Sequence, residues 1–344
     1  MAFQYDYCVF IGRFQPFHLG HWETVKQALD ISECLIVILG SYRVAPNIKN
    51  PWTAEERETL IRSCLLPEWR DRLTFAPIRD RLYDEGAWLA DVRQQVAEQT
   101  QKTSSVAIIG YHKDASSYYL NLFPEWDYVP TPYYQNINST DIRNVYFDRS
   151  TERELSDVFH CMPNPARAFL ETFRSHPRYA HLCEEFAYIQ SYRQAWSVAP
   201  YPPIFVIANA VVLQSDCLLV IRRGQQPGRG TIAFPGGFLE PDETIQDGIL
   251  RELQEETLID VERATLQSAI IFQHVFDRPQ RSLRGRAIAH VAALRLPEGS
   301  LPKVRAADDA HSTWWLPLSE LSDREDQFFA DHYQIVRYVL SHLP

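Results

Sequence analysis

Short apolar runs alternate with amphipathic segments over the first 150 residues. Residues 7–11 and 35–39 are apolar runs that predict buried strands, and residues 18–29 between them have helical spacing. A strand–helix–strand unit of this kind predicts a parallel sheet. A capping box formed by Thr53 and Glu56 marks the start of another helix. Helices are predicted over residues 54–65 and 88–97, and a further strand over residues 105–109. The pattern predicts a doubly wound, parallel-sheet α/β domain.

The pattern changes in the second half of the chain. Residues 164–196 have helical spacing without a strand signal, and the proline-rich segment 199–203 cannot continue a helix. Apolar runs at 204–213 and 218–222 then predict a β-hairpin. A helix after the glycine-rich turn at 235–237, further strands and a last helix over about 327–340 complete a mixed α/β/α sandwich. We therefore expect a domain over residues 1–165, a helical connector over 166–200 and a second domain over 201–344.

Composition excludes several classes of protein. The chain has 344 residues, of which 45% are hydrophobic and 23% charged, so extended disorder and coiled coils are excluded. Its net charge of −10 argues against broad electrostatic binding of nucleic acid. The six cysteines form no CxxC pair, no apolar run is long enough to span a bilayer, and the first residues show no export signal. We expect a cytoplasmic protein that binds neither nucleic acid nor membrane.

The segment from Gly12 to His21, GRFQPFHLGH, lies where the first strand passes into the first helix. Backbone N–H groups at a helix start attract phosphate, and this edge of a doubly wound sheet is the usual nucleotide site. His18 and His21 share one face of the first helical turn, and Gly20 between them allows close approach of a ligand. With Arg13 nearby, the arrangement suits a polyphosphate better than a metal ion.

This segment resembles the (H/T)xGH signature of nucleotidyltransferases, and its longer form is similar to nicotinamide mononucleotide adenylyltransferases of the archaeal type. The resemblance implies a second motif similar to ISTxxR. The segment from Ile137 to Arg143 matches it, with Asn138 where the family often has Ser. Ser139 or Thr140 is expected to cap this helix, and Arg143 to reach the β and γ phosphates. Trp88 is implied to stack on the nicotinamide ring, with core packing as its alternative.

The resemblance implies that ATP and nicotinamide mononucleotide react to give NAD and pyrophosphate. His18, His21, Arg13 and Arg143 are expected to be the positive groups around the phosphates, with a bound Mg²⁺ sharing the charge. The residues expected to bind ATP and the second substrate are Gly12, Arg13, Phe14, Gly20, Trp88, Ser139, Thr140 and Arg143. Residues 110–114, at the end of a predicted strand, lie at the same edge without an assigned role.

The second domain carries a segment similar to the Nudix box, GX5EX7REUXEEXGU. The fixed positions are Gly237, Glu243 and the run from Arg251 to Ile259, and the one departure is Leu258 in place of a glycine. A glycine at this position normally forms the turn that ends the helix. With Leu258 there, the sequence does not determine the shape of that turn.

Three carboxylates of the box share one face of its helix. Glu252, Glu255 and Glu256 stand at i, i+3 and i+4, where their mutual repulsion would be relieved by Mg²⁺ or Mn²⁺. All three are candidate metal ligands, and Glu255 and Glu256 candidate catalytic residues. The family pattern implies that Gly237, Glu243 and Arg251 support them. A solvated acidic face is the ordinary alternative.

Taken together, the two halves resemble bifunctional nicotinamide mononucleotide adenylyltransferase/Nudix hydrolases. The second half is then implied to hydrolyse ADP-ribose to AMP and ribose 5-phosphate. Arg281, Arg284 and Arg286 are candidate ligands of a phosphate or a terminal ribose phosphate, and a solvated basic loop is the equal alternative. Two alternatives remain open: a Nudix half that only senses ADP-ribose or NAD, and a first half that uses another acceptor. The sequence leaves undecided the general base, the existence of a homo-oligomer and any communication between the sites.

Overall fold

The computed structural model describes residues 3–112, 115–132, 134, 137–150 and 155–343. The chain divides after Glu184 into two compact units. The segment expected to be a connector holds two helices, and the division falls inside the second of them. Among the described residues, no helix is long and apolar enough to cross a membrane.

The first unit is built on a five-stranded parallel sheet. Its strands are β1 (Tyr5–Gly12), β2 (Ser32–Leu39), β3 (Leu73–Pro77), β4 (Val106–Gly110) and β5 (Asp127–Pro130). They are arranged in the order β3-β2-β1-β4-β5, with every neighbouring pair parallel. From β1 the chain builds one side of the sheet through β2 and β3, and it then builds the other side through β4 and β5. The carboxyl ends of β1 and β4 therefore flank the topological switch point, where doubly wound sheets bind ligands.

Helices lie on both faces of this sheet. The helices along this part of the chain are α1 (Leu19–Ile31), α2 (Ala54–Cys64), α3 (Pro67–Arg70), α4 (Glu85–Ala97), α5 (Ser139–Phe147), α6 (Asn164–Phe173) and α7 (Pro177–Trp196), of which α7 continues into the second unit, with 3-10 helices at Ala115–Asn121 and Leu155–Cys161. Val9 and Val92 belong to one core cluster, which places α4 on the face to which Val9 points. Phe10, which points to the other face, lies 6.2 Å from the ring of His21 on α1. The predicted doubly wound fold is confirmed.

The second unit contains a seven-stranded mixed sheet. Its strands are β6 (Ile204–Gln214), β7 (Cys217–Arg223), β8 (Ile232–Ala233), β9 (Gly236–Phe238), β10 (Ile270–Phe276), β11 (Arg286–Arg295) and β12 (Ala310–Pro317). The main order is β10-β11-β6-β7-β12, with β8 on β7 and β9 on β6. Ser215 and Asp216 have φ of 46° and 57°, the left-handed backbone that a two-residue hairpin turn requires.

Helices pack on both faces of the mixed sheet. The helices are α8 (Ile245–Thr257), α9 (Arg263–Ser268) and α10 (His332–His342), with 3-10 helices at Leu318–Glu320 and Ser322–Gln327. Leu253 of α8 shares a core cluster with Ala292 of β11. His274, paired with Val291, points to the opposite face, and its ring lies 4.7 Å from Tyr338 of α10. The predicted α/β/α sandwich is therefore present.

The last helix starts later than the predicted residue 327. Gln327 ends a 3-10 helix, and Phe328 is extended because it forms a bridge with Ile232. The N–H of Phe329 also donates to the carbonyl of Ile232, at 2.8 Å. This short pairing, which joins segments about a hundred residues apart, delays the helix until His332.

Candidate active sites

The first candidate site begins at the carboxyl end of β1. Phe14 is buried with a φ of 52°, and its ring turns back towards the strand. A Cβ at Gly12 would lie 2.8 Å from that ring, so a side chain at position 12 would displace it. Gly12 and Phe14 thus shape the turn that carries the backbone from the sheet to the start of α1.

His18 and His21 cap α1 reciprocally. The N–H of His21 donates to Nδ1 of His18 at 3.4 Å, and the N–H of His18 donates to Nδ1 of His21 at 3.3 Å. The rings stack with centroids 3.7 Å apart. Because both Nδ1 atoms accept hydrogen bonds, each neutral ring carries its proton on Nε2. The helix start therefore presents two imidazoles in one defined tautomer.

The charge of His21 differs from the sequence-based expectation. Burial among Phe14 and Phe17, followed by the charge of His18, lowers the pKa of His21 well below its ordinary value. His21 is therefore neutral at pH 7, whereas the sequence motif predicts a positive group. It can act as a hydrogen-bond donor through Nε2, and a bound anion would favour its protonation.

The start of α5 brings the second motif against the first. Asn138, and not Ser139 or Thr140, is the N-cap, since its side chain accepts from the N–H of Asp141 at 2.9 Å. The hydroxyl of Ser139 instead donates to the carbonyl of Pro16 at 3.1 Å. Asn and Ser cap helices about equally well, so Asn138 replaces the usual Ser of the motif in that function and leaves Ser139 free for this contact.

Arg143 ties the two motifs together through main-chain oxygens. Its buried guanidinium donates to the carbonyls of Gln15 and of Ile48, the latter at 2.9 Å, and to Oγ1 of Thr140 at 3.2 Å. Burial, followed by the charge of Arg13, lowers its pKa to about 9, so it stays positive at neutral pH. In this conformation Arg143 holds the loop that a phosphate would meet, and Arg13 has the exposed side chain.

Two buried residues of this site, Gln15 and Arg57, are not identified by the sequence motifs. The side-chain amide of Gln15 exchanges two hydrogen bonds with the main chain of Trp52, at 2.9 and 3.1 Å. Arg57, also buried, donates to the carbonyls of Arg13 and Gly40, at 2.8 and 2.7 Å. These loop carbonyls have no strand partner, so buried side chains satisfy them. Only the position of Arg57 four residues after a capping Thr hints at such a role.

Trp88 lies on the first turn of α4, at the carboxyl end of the sheet. Its ring is partly buried and packs edge-on against Tyr119, with centroids 5.9 Å apart, and near Phe123 at 6.2 Å. This contact is core packing, and an exposed part of the ring remains. Of residues 110–114, Lys113 and Asp114 lie outside the described residues.

The second candidate site is organised around Arg251 on α8. Its guanidinium makes a two-point ion pair with Glu243, at 2.7 and 2.9 Å, and contacts Glu252 and Glu255 at 2.9 and 2.8 Å. It also donates to the carbonyl of Phe238 at 3.1 Å. The hydrogen bond from Arg251 is the main cause of the lowered pKa of Glu243. Arg251 therefore neutralises much of the acidic helix face from within the protein.

Glu252 and Glu256 are the buried carboxylates of this face. Burial raises the pKa of Glu252, and it raises that of Glu256 to about 8, with the neighbouring charge of Glu252 adding to the shift. Glu256 accepts a hydrogen bond from the N–H of Gly236 at 2.8 Å. A Cβ at Gly237 would lie 2.6 Å from the carboxyl carbon of Glu252, so only glycine leaves room for that group.

The oxygen atoms on this face of α8 are of the type that binds a divalent cation. Carboxylates and the carbonyl of Gly237 are the oxygen ligands that Mg²⁺ and Mn²⁺ prefer. The pKa of Glu256 is raised because burial outweighs the hydrogen bond from Gly236 and the charge of Arg223, both of which act in the opposite direction. In the described part of the chain, no group of three or more His, Cys, Asp or Glu side chains surrounds one point, because Arg251 holds Glu252 and Glu255. Two of the expected ligands, Glu252 and Glu255, are thus paired with Arg251, whereas Glu256 accepts from the N–H of Gly236.

Leu258 ends α8 in the left-handed conformation. Its φ and ψ are 39° and 42°, and its N–H donates to the carbonyl of Gln254 at 2.9 Å. The turn that the box glycine usually makes is therefore formed in spite of the substitution, and the side chain is exposed. A non-glycine residue in this conformation costs about 1 kcal/mol.

We expect Leu258→Gly to stabilise the chain, because glycine adopts this backbone without strain. The expected gain is about 1 kcal/mol, seen as a higher denaturant midpoint of the second unit with an unchanged slope. Gln254→Gly is the control: it places glycine inside α8 and should destabilise by a similar amount. A loss of stability in Leu258→Gly would show that the leucine side chain makes a contact worth more than the strain.

The three arginines proposed as phosphate ligands have different surroundings. Arg281 forms a buried two-point ion pair with Asp331, both bonds measuring 2.9 Å. Arg286 donates to the main chain of Asp277. Arg284 lies over the rings of Phe238 and Tyr192, at 4.7 and 5.6 Å. Only Arg284 lies against the strand that carries Gly237.

Comparison with known proteins assigns both units. A cytidylyltransferase-like family model matches residues 9–145, and a NUDIX domain model matches residues 204–339. The chain is 37% identical over 185 residues to a nicotinamide/nicotinic acid mononucleotide adenylyltransferase of Acinetobacter baylyi, covering 54% of this chain and 95% of that protein. It is 31% identical over 133 residues to an ADP-ribose pyrophosphatase of Methanocaldococcus jannaschii, covering 38% of this chain and 70% of that protein.

One solved structure resembles the chain over nearly its whole length. It is a bifunctional NMN adenylyltransferase/ADP ribose pyrophosphatase of Francisella tularensis, complexed with AMP and a manganese ion. The two share 38% sequence identity and superpose with a TM-score of 0.90, covering 98% of this chain and 99% of the other. The chain therefore belongs to the family of bifunctional NMN adenylyltransferase/ADP-ribose pyrophosphatases, in which a cytidylyltransferase-like domain is joined to a Nudix domain.

Proposed function

We propose that the first domain, residues 1–165, transfers the adenylyl group of ATP to nicotinamide mononucleotide. The observation that carries the proposal is the stacked pair His18 and His21, whose Nδ1 atoms are fixed by the backbone at the start of α1. Two Nε2–H donors then stand at a helix start beside the switch point of the sheet, where phosphates bind. The family membership supports the same activity.

In this reaction a phosphate oxygen of nicotinamide mononucleotide attacks the α-phosphorus of ATP. The bond from that phosphorus to the bridging oxygen breaks, NAD forms and pyrophosphate leaves. No covalent nucleophile is needed, so the chain aligns two anions and stabilises the charge that develops on the leaving group. His18 and His21 donate hydrogen bonds to the phosphates, and Arg13 adds the exposed positive charge. Arg143, Gln15 and Arg57 keep the loop in shape.

We propose that the second domain, residues 201–344, hydrolyses ADP-ribose to AMP and ribose 5-phosphate, with residues 166–200 as the connector. Water attacks one phosphorus of the diphosphate, and the other phosphate leaves. Glu252, Glu255, Glu256 and the carbonyl of Gly237 would hold the divalent cation, which supplies polarisation of the diphosphate and activation of water. Arg251 positions these carboxylates through its contacts with Glu243, Glu252 and Glu255.

A second candidate function, sensing of ADP-ribose or NAD without turnover, is less well supported. A binding module has no need of ionisable carboxylates on the face of α8, yet the chain keeps all of them and buries two. For the first domain, another acceptor than nicotinamide mononucleotide remains the alternative, because the HxGH signature is shared across nucleotidyltransferases.

A product assay of the purified chain tests both activities. With nicotinamide mononucleotide, ATP and Mg²⁺, NAD and pyrophosphate should appear in equal amounts. With ADP-ribose and Mg²⁺ or Mn²⁺, AMP and ribose 5-phosphate should appear. Nicotinic acid mononucleotide and pantetheine phosphate serve as competing acceptors, and NADH and dinucleoside polyphosphates as competing Nudix substrates. Binding of ADP-ribose without turnover would support the sensor alternative instead.

A further inference from the structure

A buried glutamate on α7 contacts a loop of the second unit. The part of α7 from Glu185 onwards belongs to that unit, and it precedes residues 204–339, which the NUDIX domain model matches. Glu185 is 2% exposed, and one of its carboxyl oxygens accepts a hydrogen bond from the N–H of Gly228 at 3.1 Å. Gly228 lies in the loop 224–230, which follows β7. Because a buried polar group is costly without a hydrogen bond, this contact helps to specify the position of the loop.

The loop 224–230 is confined on its other side as well. Gly228 has a φ of 74°, a backbone conformation that favours glycine. A Cβ at this position would overlap the ring of Phe329. The carbonyl of Gly228 accepts a hydrogen bond from the N–H of Thr231 at 3.0 Å, which closes the turn. The loop therefore lies in one position between Glu185 and Phe329.

The same loop fixes the side chain of Arg223 at the end of β7. Nε of Arg223 donates to the carbonyl of Pro227 at 3.0 Å, and the guanidinium lies 4.4 Å from the ring centroid of Phe329. Within the described part of the chain, its two terminal nitrogens make no hydrogen bond or ion pair. The loop thus holds Arg223 through one nitrogen and leaves the other donors available to a ligand.

Arg223 points to the side of the sheet on which α8 lies. Leu219, four residues earlier on β7, belongs to the same core cluster as Leu253 of α8. Because alternate residues of a strand share one face, Arg223 extends towards the same helix. Its charge accordingly acts to lower the pKa of Glu256, against the larger effect of burial. Arg223 is therefore a further cation, besides Arg251, on the side of the box carboxylates.

We propose that Glu185 is a positioning residue of the hydrolase, which holds the loop 224–230 so that Arg223 faces the diphosphate at the box. The inference rests on the proposed hydrolysis of ADP-ribose. Negative charge develops on the leaving phosphate as water attacks the other phosphorus, and a guanidinium that is fixed in advance stabilises such charge. Glu185 lies outside the box and acts on the reaction through the loop and Arg223. The end of α7 is then part of the hydrolase and not only a connector.

Kinetics of the full chain test this role. Glu185→Asp shortens the side chain by one methylene group and should lose the hydrogen bond from Gly228, whereas Glu185→Gln keeps an oxygen acceptor at the same reach. Glu184→Asp, at the exposed neighbouring position on α7, is the matched control. Each variant is also combined with Arg223→Ala. We measure kcat and KM for ADP-ribose at saturating Mg²⁺ and well below the thermal midpoint, and NAD synthesis by the same preparations.

Glu185→Asp should lower kcat/KM for ADP-ribose by roughly ten-fold or more, because a small displacement of a charged group is enough to reduce catalysis by that factor. Glu185→Gln should keep most of the hydrolysis. Glu184→Asp should behave like the wild type, and NAD synthesis should be unchanged in all variants. Since Glu185 acts through Arg223, Glu185→Asp should cause no further loss when Arg223 is already alanine.

This coupling separates a positioning role from a merely structural one, which would lower hydrolysis by the same factor in both backgrounds. Equal factors, wild-type hydrolysis in Glu185→Asp or in Arg223→Ala, or an equal loss in Glu185→Gln would overturn the inference. If Glu185→Asp does not fold, Gly228→Ala displaces the same loop from the side of Phe329 and should show the same coupling to Arg223→Ala. Absence of ADP-ribose hydrolysis by the wild type would instead overturn the proposed function, and this inference with it.

Discussion

Replacing His21 by alanine should lower NAD synthesis by roughly two to three powers of ten, the usual effect of removing one preorganised donor from a developing charge. The ring of His21 stacks on that of His18 and accepts a backbone hydrogen bond through Nδ1, so its Nε2–H direction is fixed before substrate arrives. The measurement is steady-state formation of NAD from nicotinamide mononucleotide and ATP at saturating Mg²⁺.

The same residue also caps a helix, so the chemical effect must be separated from the structural one. His21→Gln keeps a side chain able to complete the capping box but removes the imidazole. We expect it to match His21→Ala in activity while keeping the thermal midpoint closer to that of the wild type. His160→Ala, at an exposed histidine of the same unit, is the control. Near-normal NAD synthesis in His21→Gln would assign His21 a capping role alone.

Replacing Glu256 by glutamine should reduce ADP-ribose hydrolysis by roughly two powers of ten or more and weaken binding of Mg²⁺. The amide keeps the shape and the hydrogen bond from Gly236 but cannot supply a negative charge. Glu262→Gln, an exposed carboxylate outside the box, is the control. Hydrolysis is followed as AMP release, and metal binding as the rise of the thermal midpoint with added Mg²⁺. Undiminished hydrolysis, in this variant or in excess chelator, would mean that the box has no catalytic role.

The pH dependence of metal binding gives a second readout of Glu256. Its pKa is raised to about 8 in the metal-free chain, whereas an unfolded glutamate titrates near 4.3. Below pH 8 the cation must displace a proton, so the affinity for Mg²⁺ should rise with pH until about pH 8 and then level off. Without metal, the native state binds the extra proton, so stability falls as pH rises between those two values. Glu256→Gln should weaken both dependences, since only the raised pKa of Glu252 remains, and be the more stable protein at pH 8 without metal.

Much of the fold could be predicted from local patterns. Apolar runs such as residues 35–39 and the capping pair Thr53 and Glu56 specify their elements without help from distant residues. The strands Leu73–Pro77 and Asp127–Pro130 are short and partly polar, and only pairing with neighbours in the sheet makes them strands. The late start of the last helix has the same cause, since Phe328 pairs with Ile232.

The candidate sites could also be predicted only in part. The motif residues could be identified from their spacing, but their protonation and the direction of their side chains could not. The neutral ring of His21 depends on the burial that Phe14 and Phe17 provide. The inward direction of Arg143 depends on carbonyls about a hundred residues away in the chain. Gln15 and Arg57 also bond to main-chain groups of other segments, and only the position of Arg57 after a capping Thr hints at its role. Contacts between distant segments decide protonation and side-chain direction, and a local pattern contains no information about them.

The ion pairs of Arg251 have a consequence for how the enzyme exchanges its metal. With one internal cation already bound to Glu243, Glu252 and Glu255, the acidic helix face does not need Mg²⁺ in order to fold. This differs from domains whose folding free energy is supplied by the metal itself. Withdrawal of the cation should therefore be reversible, leaving a folded, idle hydrolase that regains activity when the metal returns. Exchange of the metal then requires neither unfolding of the domain nor new synthesis of protein.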